Sequence, residues 1–302
     1  MTNSRLTAYV MLLGTTIIWG VAIPVIKFTL HDFPPILFLT YRFFLTSAIL
    51  LPILVLTNQQ ALPRSRNIWL IILIGLLGSS INLGLLFWGI TYTTAISASV
   101  LGATSPILIV LAGSFFLKEH ITNSEKTGLI IAFLGSLALA VSPSVVNHQS
   151  GTLGGNFLIM LSNLTWVAYV ILSKMTLKQA VSPLFLVTSS FVLGFLSLFP
   201  LALLTTGSLA DLVNEVVEQP FMSHIGVWYM ALFSGALAYF LYQEGQRRIE
   251  ASEATIFYYL TPIFGVPLSI LWLGEKITLP FILGSLIIVI GVFITEYKRR
   301  KR

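Results

Sequence analysis

The chain contains no cysteine. Disulfides, thiolate metal sites and thiol nucleophiles are therefore excluded, and cysteine usage says nothing about compartment. Charge is nearly as scarce: Asp, Glu, Lys and Arg make up 9% of 302 residues. Soluble domains carry about 25%. The four histidines, His31, His120, His148 and His224, all lie near predicted loops. There is no HExxH, no DxD and no nucleophile beside a base, so zinc and Ser-His chemistry find no support. No Asp or Glu falls in the middle third of any apolar segment. A proton relay through a central acid therefore has no carrier. No cofactor or metal site is expected.

What the chain has in abundance is apolar surface. Hydrophobic residues reach 56%, and mean hydropathy is +0.91. A soluble fold could not bury so much, and a multi-pass membrane protein is expected, with the bilayer as its solvent. The net charge of +6 suggests nucleic acid at first sight. Loop bias toward Lys and Arg explains it better, and no nucleic-acid partner is expected. The first apolar segment, which follows Arg5, lacks a small-residue cleavage pattern and reads as a retained helix.

Cutting at polar and Pro/Gly clusters gives ten spans, near 7–27, 35–56, 68–91, 95–117, 125–142, 153–174, 183–205, 224–246, 251–273 and 279–296. With the N-terminus in the cytoplasm, fourteen Lys and Arg fall inside and two, Lys27 and Lys276, fall outside. Arg42 lies within a span. This bias places both termini in the cytoplasm of a cell-membrane protein. The loop 206–223 carries Asp211, Glu215 and Glu218 and falls outside. No loop is long enough for a soluble domain.

The chain repeats itself. SPILIVLAGSFFLKEHIT (105–122) lies over TPIFGVPLSILWLGEKIT (261–278) at a shift of 156. Pro106 then matches Pro262, and Glu119 matches Glu275. At a shift of 147, Trp19 matches Trp166 and Lys27 matches Lys174. Two units are expected, 1–145 and 152–297, followed by a basic cytoplasmic tail, 298–302. Five spans per unit is odd, so the second unit enters the membrane inverted. Inverted repeats are a signature of secondary transporters, with the substrate near the midplane between repeats.

These residues resemble the EamA-type transporters of the drug/metabolite transporter superfamily. The second copy reads ASEATIFYYLTPIFGVPLSILWLGEKIT, then Gly284. The first reads AISASVLGATSPILIVLAGSFFLKEHIT, then Gly128. Trp19-Gly20 and Arg42-Phe43 match the early motif. One departure is Lys118, which stands where the second copy has Gly274. The resemblance covers essentially the whole chain. It implies an all-α protein of ten transmembrane helices in two inverted five-helix repeats. The implied activity is alternating-access transport of small metabolites, with efflux of amino acids or related compounds as the family's leaning.

The candidate residues follow from their depth. Arg42 lies about 10 Å below the outer end of the second span. It either reads a substrate carboxylate or phosphate, or pairs with Glu275. Trp19 and Trp166, near mid-span, suit an apolar wall around a substrate or ordinary packing. Asn82, Asn163, Tyr239, Tyr258 and Tyr259 either bind a polar substrate or tie helices together. Pro106 and Pro262 loosen matching helices, as hinges or as static kinks. Stripes of small residues, Gly128, Ala132 and Ser136 among them, allow close helix contact. Whether that contact is internal or makes a homodimer stays open. A scaffold, a receptor subunit and an intramembrane enzyme are the alternatives to a carrier.

Overall fold

The computed structural model describes residues 3–57, 68–102, 104–118, 123–141, 152–179 and 181–299. Among them there is helix and no strand. This is the expected result for a chain that must satisfy every backbone polar group away from water.

Helix α1 runs Asn3–Thr29 and α2 Pro35–Leu56. Helix α3, Ile68–Thr91, contains a wide π turn at Leu77–Ile81. Helix α4 is in two pieces, Ala95–Gly102 and Ser105–Leu117. Next come α5 (Asn123–Val141), α6 (Leu153–Leu177) and α7 (Pro183–Thr206). Short α8 is Leu209–Val217. Helix α9, Phe221–Arg248, has a second π turn at Met230–Leu237. Helix α10 is broken like α4: Ala251–Ala254, a 3-10 stretch Thr255–Leu260, then Thr261–Leu273. Helix α11 is Leu279–Arg299.

Helices occupy each of the ten predicted stretches. Seven of them, α1 to α4, α6, α7 and α9, are long and apolar enough to cross a membrane. The other three carry shorter apolar runs, Lys126–Gly135, Phe257–Leu273 and Ile282–Gly291. Helix α8 was expected as loop. Ser208 caps it, with its Oγ accepting the Asp211 N–H at 3.1 Å, and Leu212 buries its apolar side.

The hinge prolines do not sit in mid-helix. Pro106 and Pro262 occupy the first turn of the second pieces of α4 and α10. A missing N–H costs nothing there, so each proline starts a helical piece and leaves the break just before it.

The turn that lacks its glycine keeps its shape. Lys118 closes α4 at φ 57°, ψ 32°, and Gly274 closes the matching piece of α10 at φ 64°, ψ 21°. Lysine accepts the left-handed backbone at a cost of about 1 kcal/mol. Glu119, expected as the partner landmark to Glu275, lies outside the described residues.

The small-residue stripe of α5 is covered from within. A Cβ on Gly291 of α11 would stand 2.4 Å from the Ala132 nitrogen and 2.6 Å from the Gly128 carbonyl oxygen. At Gly128 and Ala132 this stripe joins α5 to α11.

Candidate functional site

Two sets of end contacts identify the faces of the bundle. At the face holding the N-terminus, Arg5 pairs with Glu253 at 2.6 Å, and Tyr9 also donates to Glu253. Glu244, itself buried, pairs with Arg247 and Arg248 at 2.7 and 2.6 Å at the end of α9. At the opposite face, Asp32 accepts from Ser223 and meets His31 at 2.8 Å. The Ser223 hydroxyl, and then His31, hold the Asp32 carboxyl below its ordinary range.

Glu275 has a role that pairing with Arg42 would not have given it. Its two oxygens accept the Ala95 and Ile96 N–H groups at 2.7 and 2.8 Å. A carboxylate at a helix N-terminus satisfies free donors and meets the positive end of the dipole. The expected Arg42–Glu275 pair is therefore corrected: Glu275 is committed to the start of α4, and Arg42 faces elsewhere.

Lys27 works at the other pole of a neighbouring helix. Its Nζ donates to the carbonyls of Ile90 at 2.8 Å and Thr93 at 2.7 Å, where α3 ends. Lys174 does the same at the N-terminal face, donating to Gln246 and Ile249 where α9 ends. The lysines differ by 147 positions and their acceptors by 156, the two shifts of the sequence repeat. Neither lysine was singled out as functional, though their match was legible in the sequence.

The broken helices are propped in the same paired manner. Asn163 of α6 donates to the Leu101 carbonyl and to Thr104 Oγ1, both at 2.9 Å, at the break in α4. Thr16 of α1 donates to the Phe257 carbonyl at 3.0 Å, at the break in α10. Thr16 and Asn163 also differ by 147, and Leu101 and Phe257 by 156. Asn82 likewise bridges helices, donating to the Ser162 carbonyl at 2.7 Å. These amides tie helices together through their nitrogens.

Between the breaks lies a cavity of about 130 Å³. It compares with an apolar cavity of ~150 Å³ that accepts benzene. Helix α1 lines it with Trp19, Ala22, Ile23 and Ile26, and α3 adds Asn82, Leu83 and Leu86. Ala98, Ser99, Gly102 and Ser105 come from α4, and Ser162, Asn163 and Trp166 from α6. Met230, Ser234 and Tyr239 come from α9, Tyr258 and Thr261 from α10, and Arg42 from α2. Seven of the eight predicted site residues line this space; Tyr259 does not. Ser234 and Thr261 were missed, since a lone hydroxyl in an apolar span gives little signal.

Aromatic rings close one end. Trp19 meets Trp166 and Tyr239 edge-on at 5.4 Å and stacks on Tyr258 at 5.7 Å. Tyr242 and Tyr169 extend the cluster toward the N-terminal face. Below it Gln243 donates to Tyr169 at 2.6 Å, and Gln246 donates to Gln243. The cavity residues of α1, by contrast, continue from Trp19 toward the opposite face.

Arg42 is the charge of the site. It is 1% exposed. Its Nη2 reaches Ser234 Oγ at 3.5 Å, while Nε and Nη1 have no hydrogen-bond partner. Rings of Phe87 and Phe191 lie 5.7 and 5.9 Å from its central carbon. Such contacts contribute about 0.5–2 kcal/mol. Burying an unpaired charge costs several kcal/mol. The rings do not offset that cost in full. Arg42 is thus a cation without an anion at a cavity wall.

The sequence comparisons agree on one kind of protein. The profile of the EamA-like transporter family matches residues 6–141 and again 153–297. The uncharacterized transporter YyaM of Bacillus subtilis (strain 168) is 28% identical over 294 residues, covering 95% of this chain and 93% of its own. The "Probable amino-acid metabolite efflux pump" of Escherichia coli (strain K12) is 24% identical over 296 residues, covering 97% and 96%. A solved crystal structure at 15% identity has the same fold, with a TM-score of 0.67 over 98% of this chain and 99% of its own. The chain is a multi-pass membrane protein and not an enzyme, and it belongs to the EamA-like transporter family.

Proposed function

We propose that the protein is a secondary carrier of small metabolites, exporting amino acids or related compounds by alternating access. The observation that carries this reading is the central cavity with its unpaired Arg42, set between helices of both sequence repeats. Ten spans in two inverted five-helix units, divided as 1–145 and 152–297, fit the paired contacts. Lys27 and Lys174 hold equivalent helix ends at opposite faces. Thr16 and Asn163 prop equivalent breaks. Equivalent contacts at opposite faces are what an inverted duplication produces, and such a pair can exchange roles as the site changes sides.

The aromatic cluster under the cavity then acts as the inner gate. With both termini in the cytoplasm of the cell membrane, Lys276 faces out and Lys178 faces in. The name of the E. coli relative supports export of amino-acid-like solutes. A scaffold or receptor role is disfavoured by a buried, unpaired guanidinium, which a purely structural bundle has no reason to keep.

Reconstitution into liposomes tests the reading. Preloading with a small metabolite should drive saturable counterflow of the labelled compound. A broad panel with no protein-dependent flux would sink it. Topology is checked with single cysteines, which the cysteine-free chain reports without background. In intact cells Lys276→Cys should react with a membrane-impermeant maleimide and Lys178→Cys should not. The reverse pattern would overturn the orientation.

A further inference from the structure

We infer that the cavity takes a small monocarboxylate with an apolar body in preference to a zwitterionic amino acid or an amine. The inference rests on the carrier reading for its transport consequence and narrows it, within amino acids or related compounds, to the related acids that lack the ammonium; its content is the charge and hydrogen-bond character of the site.

Three observations converge. First, Arg42 is the one charged group lining the cavity among the described residues, and its Nε and Nη1 donate to none of them. A guanidinium presents donors in a planar fork that matches a carboxylate. Second, among the described residues no Asp, Glu or His lines the cavity. The acids that approach the bundle ends are committed: Glu275 to α4, Glu244 to two arginines and Glu253 to Arg5. Third, Thr261 Oγ1 is also buried at the wall without a partner among the described residues. The partnerless buried atoms are thus guanidinium donors and a hydroxyl, and the oxygens at the wall, the Asn82 and Asn163 amide oxygens among them, are neutral.

A carboxylate seated on Arg42 cancels a charge that the protein leaves buried and uncompensated. Its hydrocarbon body then fits against Ile23, Leu86, Ala98 and Met230. An amino acid in the same pose brings an ammonium as well. That group would lose its water and meet ring faces and neutral oxygens, with no counter-charge. An amine alone adds a second cation beside Arg42. The cavity volume limits the ligand to about benzene or leucine size. Nucleotide-linked substrates are excluded from this conformation.

Four compounds with one carbon skeleton separate the possibilities: leucine, 4-methylpentanoate, 4-methylpentanamide and 4-methylpentylamine. Binding to purified full-length protein is measured by calorimetry, and flux by counterflow in liposomes. The acid should bind at least tenfold more tightly than leucine or the amide, and the amine should not bind. Arg42→Gln should reduce the acid's affinity at least tenfold and abolish its advantage over the amide. The wild-type comparison of acid with amide stands even where the variant fails to fold. Leucine binding as tightly as the acid, or the amide matching it, overturns the inference while leaving the carrier intact. Tight acid binding without flux of any compound leaves the site chemistry standing and removes the carrier.

Discussion

Replacing Asn163 by leucine tests whether its amide is a helix strut or a substrate contact. The amide donates two bonds of 2.9 Å across to α4, one to the Leu101 carbonyl and one to Thr104 Oγ1. Interhelical side-chain bonds in membrane bundles average ~0.6 kcal/mol and reach ~1.7. The Leu101 carbonyl still receives the Thr104 N–H at 3.0 Å, so it is not orphaned. The loss should lie near the low end for two bonds, about 1–2 kcal/mol. Thr16→Val is the matched control in the other repeat. It removes one cross-helix bond, to Phe257, and preserves side-chain shape. Its cost should be about 0.6 kcal/mol, the average for one bond. Denaturant unfolding of the ligand-free protein in mixed micelles gives both numbers. If Asn163→Leu leaves stability unchanged and weakens only ligand binding, the strut assignment is wrong. A larger loss for Thr16→Val than for Asn163→Leu would likewise refute the paired-prop account.

The remaining predictions concern the ends and walls of the bundle. Lys118→Gly should stabilise the protein by about 1 kcal/mol by relieving the left-handed lysine, and a lower unfolding midpoint would contradict the φ argument. Trp19→Leu should weaken binding in the cavity more than it lowers yield, because the indole faces the ligand space as well as donating to the Ser234 carbonyl at 3.1 Å. Glu275→Gln should loosen the start of α4 by about 1–2 kcal/mol, since a charged acceptor with two bonds becomes a neutral one; unchanged exchange at the Ala95 and Ile96 amides would oppose it. Asp32 has a depressed folded pKa, so its contribution is full at neutral pH and disappears as pH falls through that value. Wild type and Asp32→Asn should therefore differ in stability near pH 7 and converge in acid below about pH 4.

Much of the fold was written in patterns that survive without coordinates. Apolar length marked where helices run, and proline punctuated their starts: Pro35 and Pro183 open α2 and α7. The pairing of Lys27 with Lys174 and of Pro106 with Pro262 was visible because both units kept it. What stayed hidden depended on which atom meets which. Glu275 and Arg42 were linked because both are charged and both lie toward one face. Chain distance does not reveal that Glu275 meets the backbone of Ala95, 180 residues away. The prolines carried a general cost, but their place at the first turn of a new helical piece depends on where the chain breaks. Helix α8 was missed because nine residues with an acidic face read as a loop.

The cross-links between the halves bear on how the chain is made. A ribosome delivers the α4 break about sixty residues before Asn163 arrives to hold it. The start of α4 waits far longer, 180 residues, for Glu275. Through that interval the first half sits in the membrane with amide donors at Ala95 and Ile96 awaiting their acceptor. Its packing is provisional until the second half inserts. Truncated chains ending before residue 275 should accordingly be retained by insertion machinery or degraded, and the two halves expressed separately should rescue each other only when both are present.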